Sequence, residues 1–198
     1  MIYLDHAATA APRREVIEAM WPWLTSEFGN ASSHHERGRR AAAALEDARE
    51  RVAAVLRARP GEVVFTSGGT EADNLAVKGI ALARRERRAS RTRVVTSAIE
   101  HHAVLDSAAD LARYDGFTAQ QVPVDPSGTV TPDAFRAALS GDDDVAVASV
   151  MLANNEVGSV QDVATLAEMA AEYNVPLHTD AVQAAGTLPL DLSLIHIS

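Results

Sequence analysis

The chain has 198 residues, of which 47% are hydrophobic and 23% charged, the composition of a globular fold rather than a disordered segment. Its 27 acidic and 18 basic residues leave a formal charge of −9, which argues against a surface built to displace counterions from nucleic acid. Zero cysteines exclude disulfides, thiolate metal sites and a thiol nucleophile within these residues, and no apolar run approaches the ~20 residues that span a bilayer. Length alone predicts one domain, or one plus part of another. The first residues lack the basic-then-apolar pattern of an export signal, so a cytoplasmic protein is expected.

In chain order, Ile2–Leu4 is predicted as a short strand or extended arm. A helix follows from Pro12 to about Glu27, with Val16, Ile17, Met20 and Leu24 on one face and Pro22 expected to kink or shorten it. Residues 28–33 read as loop, and Arg37–Leu56 as a long helix closed by Arg59, Pro60 and Gly61. The spacing then predicts strand Glu62–Thr66, helix Thr70–Arg88, strand Arg93–Ser97, helix His101–Tyr114 and strand Thr118–Val124. A turn at Asp125–Gly128 leads to a helix after Pro132, a buried strand Asp144–Met151, helix Val163–Tyr173, strand Pro176–Asp180 and a helix-like stretch Ala181–Gly186. Single helices between strands mean βαβ units: an α/β fold with a mainly parallel sheet and helices on both faces. No repeat or long linker is visible. The pattern stops without a closing element after Leu192, which reads as a truncated α/β protein, with residues 193–198 set apart as a candidate non-native tail.

The basic residues are lopsided: 17 are arginine and one, Lys78, is lysine. Arginine cannot stand in where chemistry needs a deprotonated amine. The run Arg84–Arg88 is interrupted by Glu86 at a predicted helix end, and reads as a solvated face complementing the helix dipole.

Ligands of open parallel sheets bind where strand carboxyl ends meet the following loops, and four such ends carry unusual polar residues. In Phe65–Glu71 a strand runs through Gly68 and Gly69 into a helix at Thr70. This reads equally as a phosphate cradle of amides and hydroxyl or as a tight turn with Thr70 as N-cap. It has neither dinucleotide-fingerprint nor P-loop spacing. Glu100, His101 and His102 follow the next strand. An imidazole there can stack on a planar ligand or shuttle protons, although taken alone the segment reads as a helix start with both rings in solvent and Glu100 at the dipole end. No metal site is expected from these histidines. Asn154, Asn155 and Glu156 sit at the mouth of the most hydrophobic strand, as ligand donors or as a polar turn ended by Gly158. Finally, Asp180 at the end of a buried strand needs a cation or donor to offset its desolvation, with a helix cap as the plainer reading. Taken together, a phosphate site at Thr70, a ring platform at His101, an acid at Asp180 and amides at Asn155 and Gln183 match the inventory of pyridoxal phosphate.

Six ordered motifs carry a resemblance: Tyr3–Thr9, Phe28–His34, Phe65–Asn74, Glu100–Leu105, Asn154–Gly158 and His178–Gln183. Together they resemble the NifS/IscS-type cysteine desulfurases of the class V branch of fold-type I pyridoxal-phosphate enzymes, from Ile2 to about Leu192. The resemblance implies a homodimeric enzyme that holds its cofactor on a lysine and converts L-cysteine to L-alanine. Sulfur is left as a persulfide on a mobile cysteine, for iron–sulfur cluster assembly or thiolation through a scaffold or sulfur-acceptor protein. It also implies that Gly69 and Thr70 bind phosphate and that His101 stacks on the ring and is the catalytic histidine. Asp180 would hold the ring nitrogen, while Asn155 and Gln183 contact the ring-side oxygen. Residues 1–14 would form an arm of the small domain and 15–192 part of the large, cofactor-binding domain. The family's Ser-x-His-Lys segment, its cysteine loop and its substrate-binding arginine are not found in this sequence, and Lys78 does not occupy the Schiff-base position. Three readings are carried: the N-terminal portion of a cysteine desulfurase, itself inactive; another class V enzyme, such as a selenocysteine lyase or an aminotransferase; and a non-catalytic scaffold or remnant.

Overall fold

The computed structural model describes residues 2–141 and 143–190. It divides into two compact units, Met1–Val64 and Phe65–Ser198.

In the first unit, Ile2–Leu4 is an exposed arm rather than a strand, and the Tyr3 hydroxyl donates to the carbonyls of Asp5 and Thr9. Helix α1 (Arg14–Thr25) runs through Pro22, whose carbonyl accepts from the amides of Ser26 and Glu27 where the helix stops. Its expected apolar face is only partly covered: Val16, Ile17, Met20 and Leu24 are 46 to 69% exposed. Helix α2 (Glu36–Leu56) starts on His35, whose Nδ1 accepts from the Gly38 amide at 3.2 Å. It ends on Arg57 in the left-handed conformation, φ 53°, two residues before the predicted stop at Arg59–Gly61. Those residues instead begin a 3₁₀ turn (Pro60–Glu62), in which the Glu62 carboxylate accepts from the Arg59 amide and guanidinium. The predicted strand Glu62–Thr66 is therefore not present. Val64 and Phe65 are 67% and 45% exposed and lie outside the strand ladders of the described residues. A short β-branched run becomes a strand only where a partner satisfies its amides.

The second unit is the α/β sheet. Helix α3 (Gly69–Arg87) precedes β1 (Arg93–Ser97), α4 (His102–Tyr114), β2 (Thr118–Val122), α5 (Pro132–Leu139), β3 (Val145–Ser149), α6 (Val163–Glu172) and β4 (Leu177–His178). All pairings are parallel in the order β2-β1-β3-β4. One face packs under α3 and α4 through Val77, Ala81, Val94, Val104, Leu111 and Val147. The other packs under α5 and α6 through Val95, Phe135, Leu139, Ala148, Leu166 and Met169. This is the expected parallel sheet with helices on both faces. A register shift at the start of β3, where Arg93 pairs with Val145 but Val94 with Val147, turns both Ala146 and Val147 toward α3. From there the alternation sends Ser149 to the α3 face as well.

Strand β4 is shorter than the predicted Pro176–Asp180, because only Leu177 and His178 face paired residues of β3. Residues 181–186 form consecutive turns closed on the Ala181 and Ala184 carbonyls rather than a helix. The proposed tail, 193–198, lies outside the described residues. No described helix is long and apolar enough to cross a membrane.

Candidate functional site

The chain changes direction between β1 and β3: β2 lies on one side of β1, while β3 and β4 extend the sheet on the other. The loops leaving β1, β3 and β4 consequently open on the same edge, next to the point where the winding reverses, the place an open α/β sheet offers a ligand. Helix α3 delivers a further side chain there. Asp73, Val77 and Ala81 recur at four-residue spacing on its sheet-facing side, and all three are buried.

The predicted residues fall as follows. Gly68, extended at φ 168°, precedes α3, so Thr70 is the second helical residue and not the N-cap of the alternative reading. The first intrahelical amide bond is Ala72 to the Gly68 carbonyl, which leaves the amides of Gly69, Thr70 and Glu71 ahead of it at the positive end of the helix. A Cβ at Gly68 or Gly69 would meet nothing within 4 Å, so the space before these amides is open. Glu71 folds back and accepts from the Ser67 amide at 2.7 Å and its hydroxyl at 2.5 Å, which braces the loop. His101 is the N-cap of α4: its Nδ1 accepts from the Ala103 amide at 3.2 Å, which places the proton of the neutral ring on Nε2.

Asp180 is buried at 8% exposure. Its Oδ1 accepts from the Val182 amide and its carbonyl from the Leu152 amide, both at 2.9 Å, so the exits of β3 and β4 are tied together. Gln183 is half-buried on the same turn. Asn155 is exposed and has no hydrogen bond among the described residues. Its neighbour Asn154 holds the loop, donating to the Ile99 carbonyl at 3.0 Å and accepting from the amides of Glu156 and Val157.

Electrostatics show which groups converge. The Asp73 carboxyl is pushed up to about 6 by burial and then by the charge of Asp180, with His101 pulling it back. Asp73, Asp180 and His101 thus share one field. Glu100, which from the sequence alone read as a helix-start acid, is buried instead and pushed up to about 7, chiefly by desolvation. Its Oε1 accepts from the Ser97 hydroxyl at 2.5 Å and the Met151 amide at 2.7 Å. The Ser149 hydroxyl lies 3.3 Å from Oε2 and 2.9 Å from His178 Nδ1, and His178 Nε2 lies 3.5 Å from Asp73 Oδ1. Burial lowers the His178 pKa, against the opposing pull of Asp180. From sequence, Glu100 read only as a helix-start acid, and Asp73, Ser149 and His178 were given no role of their own. For Asp73 a signal existed, since it continues the apolar stripe of Val77 and Ala81.

This arrangement fits a phosphorylated cationic heterocycle. Two buried carboxylates, Asp73 and Asp180, interact electrostatically, and neither pairs with an arginine or lysine among the described residues. Negative charge there would be neutralised by a protonated ring nitrogen. On the same unit, open helix amides at Gly69 and Thr70 suit a phosphate. Lys78, the one lysine, is committed to Asp110 at 2.8 Å.

Among known proteins, the chain is 50% identical over 198 residues to an "IscS-like cysteine desulfurase" of Mycobacterium tuberculosis, covering all of this chain and 50% of that one. It is 45% identical over 196 residues to "Cysteine desulfurase IscS" of Methanosarcina thermophila, covering 99% of this chain and 47% of the relative. Of solved structures, a "NifS-like protein" superposes with a TM-score of 0.92 at 35% identity over all of this chain and 53% of that one. The structure titled "SspA in complex with cysteine" gives 0.89 at 34% identity, over 98% of this chain and 54% of the other. The chain therefore spans about half the length of the curated relatives it matches. With the aminotransferase class-V profile matching residues 2–197, nearly its whole length, this chain belongs to the class-V aminotransferase family.

Proposed function

We propose that these residues form the cofactor-binding half of a pyridoxal-phosphate-dependent cysteine desulfurase, which takes L-cysteine to L-alanine and passes the sulfur on. The observation that carries this reading is the pair of buried carboxylates, Asp73 and Asp180, which interact with each other and have no arginine or lysine partner among the described residues. The names of the relatives supply the substrate class.

Bound at this sheet edge, pyridoxal phosphate would supply an electron sink for a bond broken at the substrate's α-carbon. The chain's own residues bind and orient it. Asp180 would face the ring nitrogen, with the Val182 amide fixing one carboxylate oxygen and leaving the other for the ligand. Gly69 and Thr70 offer helix-end amides to the phosphate. His101, exposed and with its Nδ1 occupied by the Ala103 amide, would offer its ring and its Nε2 side to the cofactor. Asn155 and Gln183 complete the set as donors to the ring-side oxygen. In this reading residues 1–14 belong to a small-domain arm and 15–192 to the large domain, and the enzyme works as a cytoplasmic homodimer that hands sulfur to an acceptor or scaffold protein. Lysine and cysteine for the covalent steps come from outside these residues, since Lys78 is paired with Asp110 and the sequence has no cysteine.

Alanine formation from cysteine by the full-length enzyme tests the assignment. Asp180→Ala is expected to lower the rate by about 10²–10³-fold, the loss typical of a preorganised electrostatic group. Glu156→Ala, at an exposed side chain on the neighbouring turn, leaves it near wild type. Equal losses in the two variants overturn the role of Asp180.

A further inference from the structure

We propose that Glu100, Ser149, His178 and Asp73 form a one-proton relay that sets the charge beside Asp180, with Glu100 as a positioning residue acting through His178. Three contacts link the groups: Glu100 Oε2 to Ser149 Oγ at 3.3 Å, Ser149 Oγ to His178 Nδ1 at 2.9 Å, and His178 Nε2 to Asp73 Oδ1 at 3.5 Å. A hydroxyl has one proton to donate, and a neutral imidazole carries one N–H. Glu100 Oε1 is already filled by two donors, the Ser97 hydroxyl and the Met151 amide, so any proton on this carboxyl resides on Oε2.

With the His178 ring neutral, two arrangements satisfy every contact. In the first, Glu100 Oε2–H donates to Ser149, Ser149 donates to His178 Nδ1, and the Nε2 proton points to an ionised Asp73. In the second, ionised Glu100 accepts from Ser149, Nδ1–H donates to the hydroxyl oxygen, and a protonated Asp73 donates to Nε2. Conversion moves three protons one contact each: Glu100 to Ser149, Ser149 to Nδ1, and Nε2 to Asp73. No bond between heavy atoms changes, and the sum is one proton exchanged between two buried carboxyls. Asp73 next to Asp180 is thereby charged or neutral according to where that proton rests.

The surrounding elements bias the relay without closing it. Asp180, from the exit of β4, raises the proton affinity of both Glu100 and Asp73 and favours a charged His178, while His101, from the start of α4, favours ionised Asp73. No arginine or lysine pairs with any relay member among the described residues. The relay's bearing on a cofactor rests on the function proposed above; its existence does not.

Nitrogen-15 NMR of histidine-labelled full-length protein, purified free of cofactor, reads it directly. In wild type, the two His178 nitrogens are expected at intermediate shifts, both tautomers being populated. Glu100→Gln locks the ring as Nε2–H, because the two donors at Oε1 pin the amide oxygen and aim the amide N–H at Ser149. In a Ser149→Ala background, Glu100→Gln no longer changes the ring. Single-tautomer shifts in wild type, an unchanged ring in Glu100→Gln, or an effect that survives Ser149→Ala each overturn the relay. The wild-type spectrum needs no variant to fold, and loss of activity in Asp180→Ala remains a separate test of function.

Discussion

Glu100 is 6% exposed, and its carboxyl is held by three donors yet still pushed up to about 7, so desolvation outweighs the hydrogen bonds. This gives folding a pH dependence of definite sign. The native state binds the Glu100 proton more tightly than the unfolded chain, so the stabilisation is complete below the ordinary glutamate value of 4.5 and is lost as pH rises toward about 7. Replacing Glu100 with glutamine, which keeps the acceptor for Ser97 and Met151, removes that slope. Urea unfolding is expected to show the Glu100→Gln variant gaining about 3 kcal/mol on wild type between pH 4.5 and pH 8. Parallel pH profiles for the two proteins contradict the burial of an ionisable group here. At this scale the sequence was legible where a residue type is itself a signal, as with Asp180 at a strand end. It was not legible for Glu100, because nothing local marks a glutamate whose partners lie on β1 and, about fifty residues further on, at β3.

Elements put two glycines in opposite situations. Gly38, near the start of α2, is buried, and a Cβ on it would lie 2.1 Å from the Ser33 carbonyl oxygen, so the preceding loop crosses the helix at a distance only glycine permits. Gly79, within α3, is exposed, and a Cβ would meet nothing within 4 Å. Helix propensity alone favours alanine over glycine by about 1 kcal/mol at either site. Gly79→Ala is therefore expected to stabilise by up to about 1 kcal/mol, whereas Gly38→Ala destabilises by about 2 kcal/mol because backbone must move. Chemical denaturation of the two variants separates these signs; a stabilising Gly38→Ala contradicts the close approach. Helices were legible to within a residue or two because capping and periodicity are local: α5 starts at Pro132 behind Thr131, and α4 behind His101. Strand Glu62–Thr66 was misread for the complementary reason, since a strand exists only through a neighbour that its own sequence does not encode.

At the scale of the molecule, the sheet unit assembles a ligand edge but neither amine nor thiol chemistry. Lys78 is bound to Asp110 on α4 rather than to the carboxylate cluster, and no cysteine is present. The 198-residue chain mixed with pyridoxal phosphate and L-cysteine is expected to release no alanine above a protein-free control. Turnover by this chain alone contradicts the assignment of the covalent steps to residues outside it.

The sequence by itself determined the alternation of strands and helices, the parallel sheet, and four polar strand ends, because hydrophobic period, caps and turn residues act over a few positions. Tertiary structure alone decided that Asp73, Glu100, Ser149 and His178 come into contact within the field of Asp180. Strand order placed β1, β3 and β4 side by side, a one-residue register shift turned Ser149 toward α3, and burial then raised the proton affinity of the carboxyls gathered there. Such couplings depend on distance through a low-dielectric interior, a quantity that spacing along the chain does not carry.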